Sequence, residues 1–321
     1  MTRRYIIFTS LFLIFNVFIT KAYSSAMLDR IALLDTGYDA CLADGGMKCE
    51  ENKNLLFRGD QPLPDDPPFY FDFNYFRENI FSYIQQFKQA YDTEARLPIV
   101  FDDLKNYRIV VINLLYDFYA NGSQSELNEL QYEFKHSGIV NTLQIPEQHK
   151  MYGLKKPFYS DQYAFEWWPV TLANHINWPD KQGTPPHTFK PDVYKVLNLT
   201  FLITGKNFYG DRENDDALSL RTLLTSTPDD GHPLLIFYHC VAGKDRTGAV
   251  SQSYLMQYGG YPYLAHMPDH KISRKGPLSY TDSLKASSIP DHLPTEESKQ
   301  LARAYCLSLN KKQADCDLRS A

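Results

Sequence analysis

The sequence lacks the glycine-rich patterns that hold nucleotide phosphates. Its 16 glycines form neither the Gly-x-Gly-x-x-Gly fingerprint of dinucleotide-binding folds nor the Walker loop of nucleoside triphosphatases. It also contains no internal repeat and no low-complexity tract, which argues against repeat architectures. A doubly wound nucleotide-binding fold is therefore not favoured. The 321 residues are enough for one large domain or two small ones.

Positive charge is also scarce. The chain has 33 Lys and Arg against 38 Asp and Glu, a net charge of −5, and an acidic chain has no general means of holding a nucleic acid backbone. We therefore expect no nucleic acid partner. An anion-binding pocket here must depend on tight local contacts, because the long-range field is unfavourable. Lys271, Arg274 and Lys275 form a small basic cluster that we expect at the solvated surface.

Long apolar runs are confined to the N-terminus. Two arginines precede an apolar stretch from Tyr5 to Thr20, and small residues follow up to Ala26. This order is typical of a secretory signal peptide over residues 1–26. The apolar stretch is marginal for spanning a bilayer, so an uncleaved anchor is the alternative. Cleavage leaves residues 27–321 as a single secreted or periplasmic domain, with no stable membrane insertion expected.

Cysteine is rare, with five in the chain. Four of them lie in two local groups, Cys41 with Cys49 and Cys306 with Cys316, and Cys240 stands alone. In an oxidising compartment each group can form a disulfide, although three pairings of the four are open. The spacings of eight and ten, with no histidine nearby, do not fit a zinc site.

The most informative stretch is HCVAGKDRTG at residues 239–248. The apolar run Pro233–Tyr238 before it predicts a buried strand, and residues 248–257 after it have apolar positions at helical spacing. A tight loop between a strand end and a helix N-terminus binds oxyanions, because unpaired backbone N–H groups converge there.

The residue types in this loop suit phosphoryl transfer. Cys240 is the candidate nucleophile, and the helix N-terminus, the loop amides and Arg246 all favour its thiolate. Arg246 also offers a planar fork to two phosphate oxygens. Thr247 can donate its hydroxyl to the departing sulfur, and His239 is expected to orient the loop through hydrogen bonds. The remaining candidates for contact with the substrate are Val241, Ala242, Gly243, Lys244 and Asp245.

HCVAGKDRTG resembles the signature loop of the cysteine-dependent, protein-tyrosine-phosphatase-like superfamily. A second segment, WPDKQGTPP at residues 178–186, resembles the mobile general-acid loop of tyrosine phosphatases. The resemblance implies a phosphocysteine intermediate formed without a metal or other cofactor. It also implies that Asp180 protonates the leaving oxygen and later activates water. Trp178 would belong to the lid that closes over the substrate.

The order of elements predicts an α/β fold with a central mixed sheet flanked by helices, and with the tyrosine-phosphatase-like phosphate loop between a strand and a helix. Leu55–Pro62 resembles the opening strand and turn of many dual-specificity-like phosphatases. Further predicted strands include Arg108–Leu115 and Tyr163–Pro169. The predicted helices are 72–93, 123–137 and Thr295–Leu309, and Met27–Ala43 is expected to form a short helix and loop. Asp180 and Cys240 lie farther apart than a compact member of the superfamily would require. A surface insertion around 204–230, either bordering the pocket or without function, would account for the excess.

The loop interior gives the only indication of the substrate. Lys244 and Asp245 before Arg246 resemble bacterial members with lipid or broad specificity, and a lysine on the pocket floor suits the second phosphate of an inositol headgroup. The Trp-Pro-Asp loop instead favours phosphotyrosine. We expect a phosphorylated protein as substrate, with a phosphoinositide or inositol polyphosphate as the alternative. A pseudo-phosphatase that only binds phosphorylated ligands is a further alternative, although Cys240, Arg246 and Asp180 are all present.

Overall fold

The computed structural model describes residues 30–60, 73–90, 107–114, 158–160, 165–169, 193–205, 219–227, 231–240, 242–261, 272–288, 294–309 and 313–316. The expected signal peptide 1–26, the helix predicted over 123–137 and the general-acid segment 178–186 lie outside these residues.

The described part of the chain contains six strands, seven α-helices and two 3₁₀ turns. In order they are β1 (Ala32–Thr36), α1 (Gly37–Ala43), a 3₁₀ turn (Cys49–Glu51), β2 (Leu55–Gly59), α2 (Phe73–Ala90), β3 (Arg108–Asn113), β4 (Phe158–Ser160), β5 (Phe165–Pro169), α3 (Val193–Thr204), α4 (Leu220–Thr225), β6 (Leu234–His239), α5 (Asp245–Tyr258), α6 (Tyr280–Ser287), α7 (Glu296–Ser308) and a 3₁₀ turn (Gln313–Cys316).

The six strands form one mixed sheet in the order β1-β2-β6-β3-β5-β4. The four inner strands are parallel, and β1 and β4 pair antiparallel at the two edges. In the parallel register His239 lies beside both Gly59 and Asn113. The carboxyl ends of β2, β6 and β3 therefore meet at one edge of the sheet, with β6 in the middle.

Helices cover both faces of this sheet. The prediction of an α/β fold with a central mixed sheet flanked by helices is therefore confirmed. On one face α2 packs against the aromatic side chains of the strands, with Phe76 edge-on to Phe237 at 5.1 Å and Tyr83 edge-on to Phe57 at 5.8 Å. On the other face the hydroxyl of Tyr238 meets Ser251 of α5 at 2.7 Å. Successive residues of a strand point to opposite faces, which is why the neighbours Phe237 and Tyr238 reach different layers.

The prediction of a helix and loop over Met27–Ala43 is wrong for β1. Ala32–Thr36 form a wholly buried strand, and a helix begins only at Gly37. A short apolar run fits a buried strand and a buried helix equally well by periodicity, so pairing with β2 decides between them. The side chain of Thr36 then caps α1 by accepting from the N–H of Asp39 at 3.1 Å.

The expectation of a surface insertion over 204–230 is wrong for the part that forms α4. Ser219 and Thr222 make a capping box at its start, and Leu220, Leu223 and Leu224 are buried. The buried Asn54 donates to the carbonyls at its end, including that of Leu224 at 3.1 Å. This helix belongs to the core because its leucines are buried and the carbonyls of Leu223 and Leu224 accept from the buried Asn54. Residues 206–218 and 228–230 lie outside the described part.

The structure has two disulfides, Cys41–Cys49 and Cys306–Cys316. Of the three pairings open from the sequence, this is the one that joins neighbours along the chain. Each bridge closes a short loop near one end of the described chain. Disulfides of this kind are compatible with an extracellular protein. Among the described helices, none has both the length and the apolar character of a bilayer span.

A buried ion network lies at the opposite end of the strands from Gly59 and His239, beside the amino end of β2. The carboxylate of Asp35, fully buried in β1, accepts from Nε and Nη2 of Arg274 at 2.9 and 3.1 Å and from the Tyr254 hydroxyl at 2.9 Å. Arg221 approaches Asp35 at 3.4 Å and forms a two-pronged pair with Asp44 at 2.9 and 2.7 Å. Burial raises the pKa of Asp35, and the two arginines act in the opposite sense. The expectation of a solvated surface role is therefore wrong for Arg274.

Candidate functional site

The candidate loop begins where the central strand ends. Cys240 directly follows β6, and the carbonyl of His239 still accepts from the N–H of Leu114 at 2.9 Å. In the sheet, β6 lies between β2 and β3. The chain passes from β2 to β3 in one direction across the sheet and later returns in the other direction, from β5 to β6. In open α/β sheets, ligands bind outside the carboxyl ends of the strands at such a reversal of direction. The topology therefore brings Cys240 to the edge of the sheet where a ligand is most readily bound.

Cys240 is the free cysteine of the chain, since the other four form disulfides. Its side chain is buried, so the surrounding loop controls access to the sulfur. The neighbouring His239 is also buried, and its Nδ1 lies 3.2 Å from the carbonyl oxygen of Cys240. The imidazole stacks on Phe237 with ring centroids 5.8 Å apart. This position suits the orienting role expected for His239.

Gly243 lets the loop backbone rest directly on the end of β2. Its φ is +62°, in the left-handed region, and an added Cβ would lie 2.8 Å from both the N of Asp60 and the O of Gly59. Both properties require glycine, because a side chain is strained in this conformation and would overlap backbone atoms. From the sequence, Gly243 is a candidate for contact with the substrate. The close approach that the structure shows is to β2.

The loop leads straight into α5, whose first residue is Asp245. Lys244 is the N-cap residue but makes no side-chain cap, and the first helical bond runs from the N–H of Gly248 to the Lys244 carbonyl at 3.0 Å. The first N–H groups of a helix have no acceptor within it, and the helix dipole adds partial positive charge there. The start of α5 thus has the donors and the field that an oxyanion requires.

Arg246 is held in the first turn of this helix, at the same sheet edge as Cys240. Its Nη1 lies 3.4 Å from the carbonyl oxygen of Leu114, the residue that follows β3. The N–H of Leu114 is bonded in turn to the carbonyl of His239. One peptide segment therefore connects the guanidinium of Arg246 to the strand end that carries Cys240.

Thr247 has a buried hydroxyl that makes no hydrogen bond within the described part of the chain. The neighbouring groups are satisfied, since Ser251 donates to the Thr247 carbonyl at 2.7 Å and is itself in contact with Tyr238. Buried hydroxyls nearly always have a partner in folded proteins. The Oγ1 of Thr247 is therefore a donor available to a group that binds beside the first turn of α5.

The remaining predicted site residues differ in their surroundings. Asp245 uses its Oδ1 to accept from the N–H of Thr295 at 2.8 Å, which ties the start of α7 to the loop. Ala242 is exposed and Lys244 is half-buried. Val241, Trp178 and Asp180 lie outside the described residues, so the predicted general acid is not placed relative to Cys240. Across the described ranges, no group of three or more His, Cys, Asp or Glu is arranged to hold a metal ion.

Arg58 is the residue at this edge that the sequence reasoning missed. It lies in β2 and is 1% exposed, yet its Nη2 donates to the carbonyl of Gly243 at 2.5 Å and its Nη1 donates to the carbonyl of Ser287. An arginine inside a buried apolar strand is uncommon unless it has specific partners. That arginine, directly after Leu55-Leu-Phe57, was the signal available in the sequence.

No family model, no curated protein and no solved structure was found to match this chain.

Proposed function

We propose that this protein is an exported cysteine-dependent phosphatase that hydrolyses phosphomonoesters through a phosphocysteine intermediate. The observation that carries the proposal is the position of Cys240. It is a free thiol at the carboxyl end of the central parallel strand, and a glycine-containing loop leads from it to the start of α5, where Arg246 lies. This is the arrangement in which backbone donors, a helix dipole and a guanidinium can act on one bound phosphate.

In the first step, the thiolate of Cys240 attacks phosphorus and the bond from phosphorus to the ester oxygen breaks. The leaving oxygen takes a proton from Asp180, which the general-acid resemblance assigns to this role. Arg246 and the N–H groups of the loop stabilise the charge on the three equatorial oxygens, which is the main catalytic requirement of phosphoryl transfer.

In the second step, water attacks the phosphocysteine and the sulfur–phosphorus bond breaks. The carboxylate of Asp180 accepts the proton from the water, and inorganic phosphate leaves. The sulfur departs as thiolate, and the hydroxyl of Thr247 donates a hydrogen bond to it. Support for this last role comes from the buried Oγ1 of Thr247, which has no hydrogen-bond partner in the described structure.

A phosphotyrosine protein is the first substrate that we propose, because the segment at 178–186 resembles the acid loop of tyrosine phosphatases. An inositol polyphosphate or phosphoinositide is the second candidate, and one observation favours it. Lys244 is half-buried beside the start of α5 and forms no salt bridge with the described residues. Its ammonium group is thus available for a second phosphate.

The test is a phosphate-release assay with the purified mature protein and excess chelator. A phosphotyrosine peptide and inositol hexakisphosphate are compared on wild type, Cys240→Ser, Asp180→Ala and Lys244→Ala. We expect metal-independent release that Cys240→Ser abolishes and Asp180→Ala slows on the order of 10²-fold. Full activity of Cys240→Ser refutes the proposal. A loss in Lys244→Ala confined to the inositol substrate would identify the second candidate, and equal losses would exclude this role for the lysine.

A further inference from the structure

We propose that Arg58 is a positioning residue for the loop between Cys240 and α5, and that it fixes the peptide between Gly243 and Lys244 so that its N–H faces a bound oxyanion. This inference rests on the proposed phosphatase function. It assigns a role to a residue outside the signature loop at 239–248 and the general-acid segment at 178–186.

The guanidinium of Arg58 lies between strand β2, the loop that contains Gly243, and the end of α6. Arg58 is in β2, where it pairs with Tyr238 in the parallel register, and the next pair joins Gly59 to His239. Its side chain is almost completely buried. It spans from β2 to the loop carbonyl of Gly243 and to the carbonyl of Ser287 at the end of α6. The guanidinium of Arg58 therefore connects β2, the loop after Cys240 and the end of α6.

The hydrogen bond from Arg58 to the carbonyl of Gly243 determines the direction of one peptide. The carbonyl of Gly243 and the N–H of Lys244 belong to the same planar trans unit, so they point in opposite directions. Because the carbonyl is bonded to the buried Arg58, the N–H of Lys244 points away from the protein interior. The N–H groups of the first turn of α5 likewise point back along the helix axis toward the loop. Arg58 thus keeps a carbonyl out of the oxyanion site and turns a donor toward it.

Gly243 by itself does not determine which way its carbonyl points. Gly243 has a φ of +62°, and a residue without a Cβ can also be accommodated after its peptide flips. Glycine tolerates both orientations, so the glycine alone does not fix the direction of the carbonyl. A two-pronged guanidinium held between two carbonyls does fix it, because its donors lie in a rigid fork.

The charge of Arg58 also acts at this site. A cation in a buried environment is screened far less than one at the surface, and its field lowers the pKa values of the nearby Tyr83 and Tyr238 against the stronger effect of burial. The same field favours an oxyanion bound at the loop. Lysine at this position would retain the positive charge but lose the two-pronged hydrogen bonding of the guanidinium. Arg58→Lys therefore separates the effect of the charge from the effect of the hydrogen bonds.

The experiment compares Arg58→Lys and Arg58→Met with Arg221→Lys as matched control. Arg221 is also a buried arginine with several hydrogen bonds, but it lies in the ion network at the opposite end of the strands. Thermal unfolding establishes the folded fraction of each variant. The alkylation rate of Cys240 is then measured with the anionic reagent iodoacetate and the neutral reagent iodoacetamide. The native disulfides leave Cys240 as the thiol that reacts.

We expect the ratio of the iodoacetate rate to the iodoacetamide rate to fall about tenfold in Arg58→Lys and further in Arg58→Met, because a misplaced donor weakens the anion site. With a phosphotyrosine peptide, kcat per folded molecule should fall on the order of 10²-fold, more than KM rises. Arg221→Lys should keep the rate ratio and kcat of the wild type. A merely structural role would lower the folded fraction and leave both readouts unchanged.

Wild-type values of the rate ratio and kcat in folded Arg58→Lys would overturn the inference. If Arg58→Met does not fold, Arg58→Lys alone decides, because it retains the buried charge. The alkylation ratio does not depend on turnover. A wild type that releases no phosphate would therefore reject the proposed function, while the rate ratio would still test the role of Arg58 in anion binding.

Discussion

Replacing Gly243 by alanine tests how the loop after Cys240 is held against the sheet. The new Cβ would lie 2.8 Å from the N of Asp60, 2.8 Å from the O of Gly59 and 2.9 Å from its carbonyl carbon. All three are backbone atoms at the end of β2, so they cannot move aside as a flexible side chain would. The alanine would also have to keep a φ of +62°. Either the loop lifts from β2 or the strain remains.

The expected cost has two parts. A left-handed conformation costs a residue with a Cβ roughly 1–2 kcal/mol, and overlap with well-packed neighbours typically adds about 1–3 kcal/mol. We therefore expect Gly243→Ala to lower the free energy of unfolding by roughly 2–5 kcal/mol. Movement of the loop by an ångström would also reduce kcat on the order of 10²-fold, because the donors to the phosphate would be misplaced.

Alanine substitutions at two other glycines separate the cost of the left-handed conformation from the cost of the overlap. Gly231 has a φ of +72° with no atom within 4 Å of an added Cβ, and Gly276 is equally open without a left-handed φ. In urea unfolding, Gly231→Ala should lose roughly 1–2 kcal/mol and Gly276→Ala should change by less than about 0.5 kcal/mol. Both should retain phosphate release. A Gly243→Ala variant no less stable than Gly231→Ala, with wild-type kcat, would refute this account of the loop.

Three further predictions concern the rest of the fold. Asp35→Asn should lower the free energy of unfolding by roughly 3–5 kcal/mol, because it removes the buried charge that Arg221 and Arg274 share, and a loss under about 1 kcal/mol in urea would contradict this. Joint replacement of Cys306 and Cys316 by serine, which opens a bridge across 10 positions, should cost about 2–3 kcal/mol, and an unchanged Tm would be the contrary result. Burial raises the pKa of Tyr238 from 10.0 to about 12, so below pH 10 the shift has no effect on stability. Between these pH values the unfolded state loses the proton first, and stability should fall by about 2–3 kcal/mol. In Tyr238→Phe this fall should be smaller by that amount, and an identical alkaline profile would show that Tyr238 does not contribute.

The regular elements around the site were predictable because local patterns determine them. The strands expected at Pro233–Tyr238 and Arg108–Leu115 are β6 and β3, and the helix expected over 72–93 is α2. Each is a continuous apolar or periodic run of sufficient length. The start of α5 was placed too late, at Gly248 rather than Asp245. The polar residues Asp245, Arg246 and Thr247 give no apolar signal, although a helix start commonly contains such residues.

The contacts that brace the site were not predictable, because their partners are far apart in the chain. Arg58 meets Ser287 across 229 positions and Gly243 across 185, and Asp35 meets Arg274 across 239. No periodicity relates such residues. Both Arg58 and Asp35 are charged residues within short apolar runs that form strands. A charge at such a position indicates that a partner is needed, but the identity of the partner comes only from the fold.

The central claim is that the sulfur of Cys240 accepts the phosphoryl group. The most direct measurement mixes the enzyme with a phosphotyrosine peptide, quenches with acid during turnover and identifies the modified residue by mass spectrometry of the peptide that contains Cys240. This account predicts a phosphoryl group on that sulfur, formed without added metal and absent from Cys240→Ser. Phosphate release with Cys240 unmodified throughout turnover would contradict it.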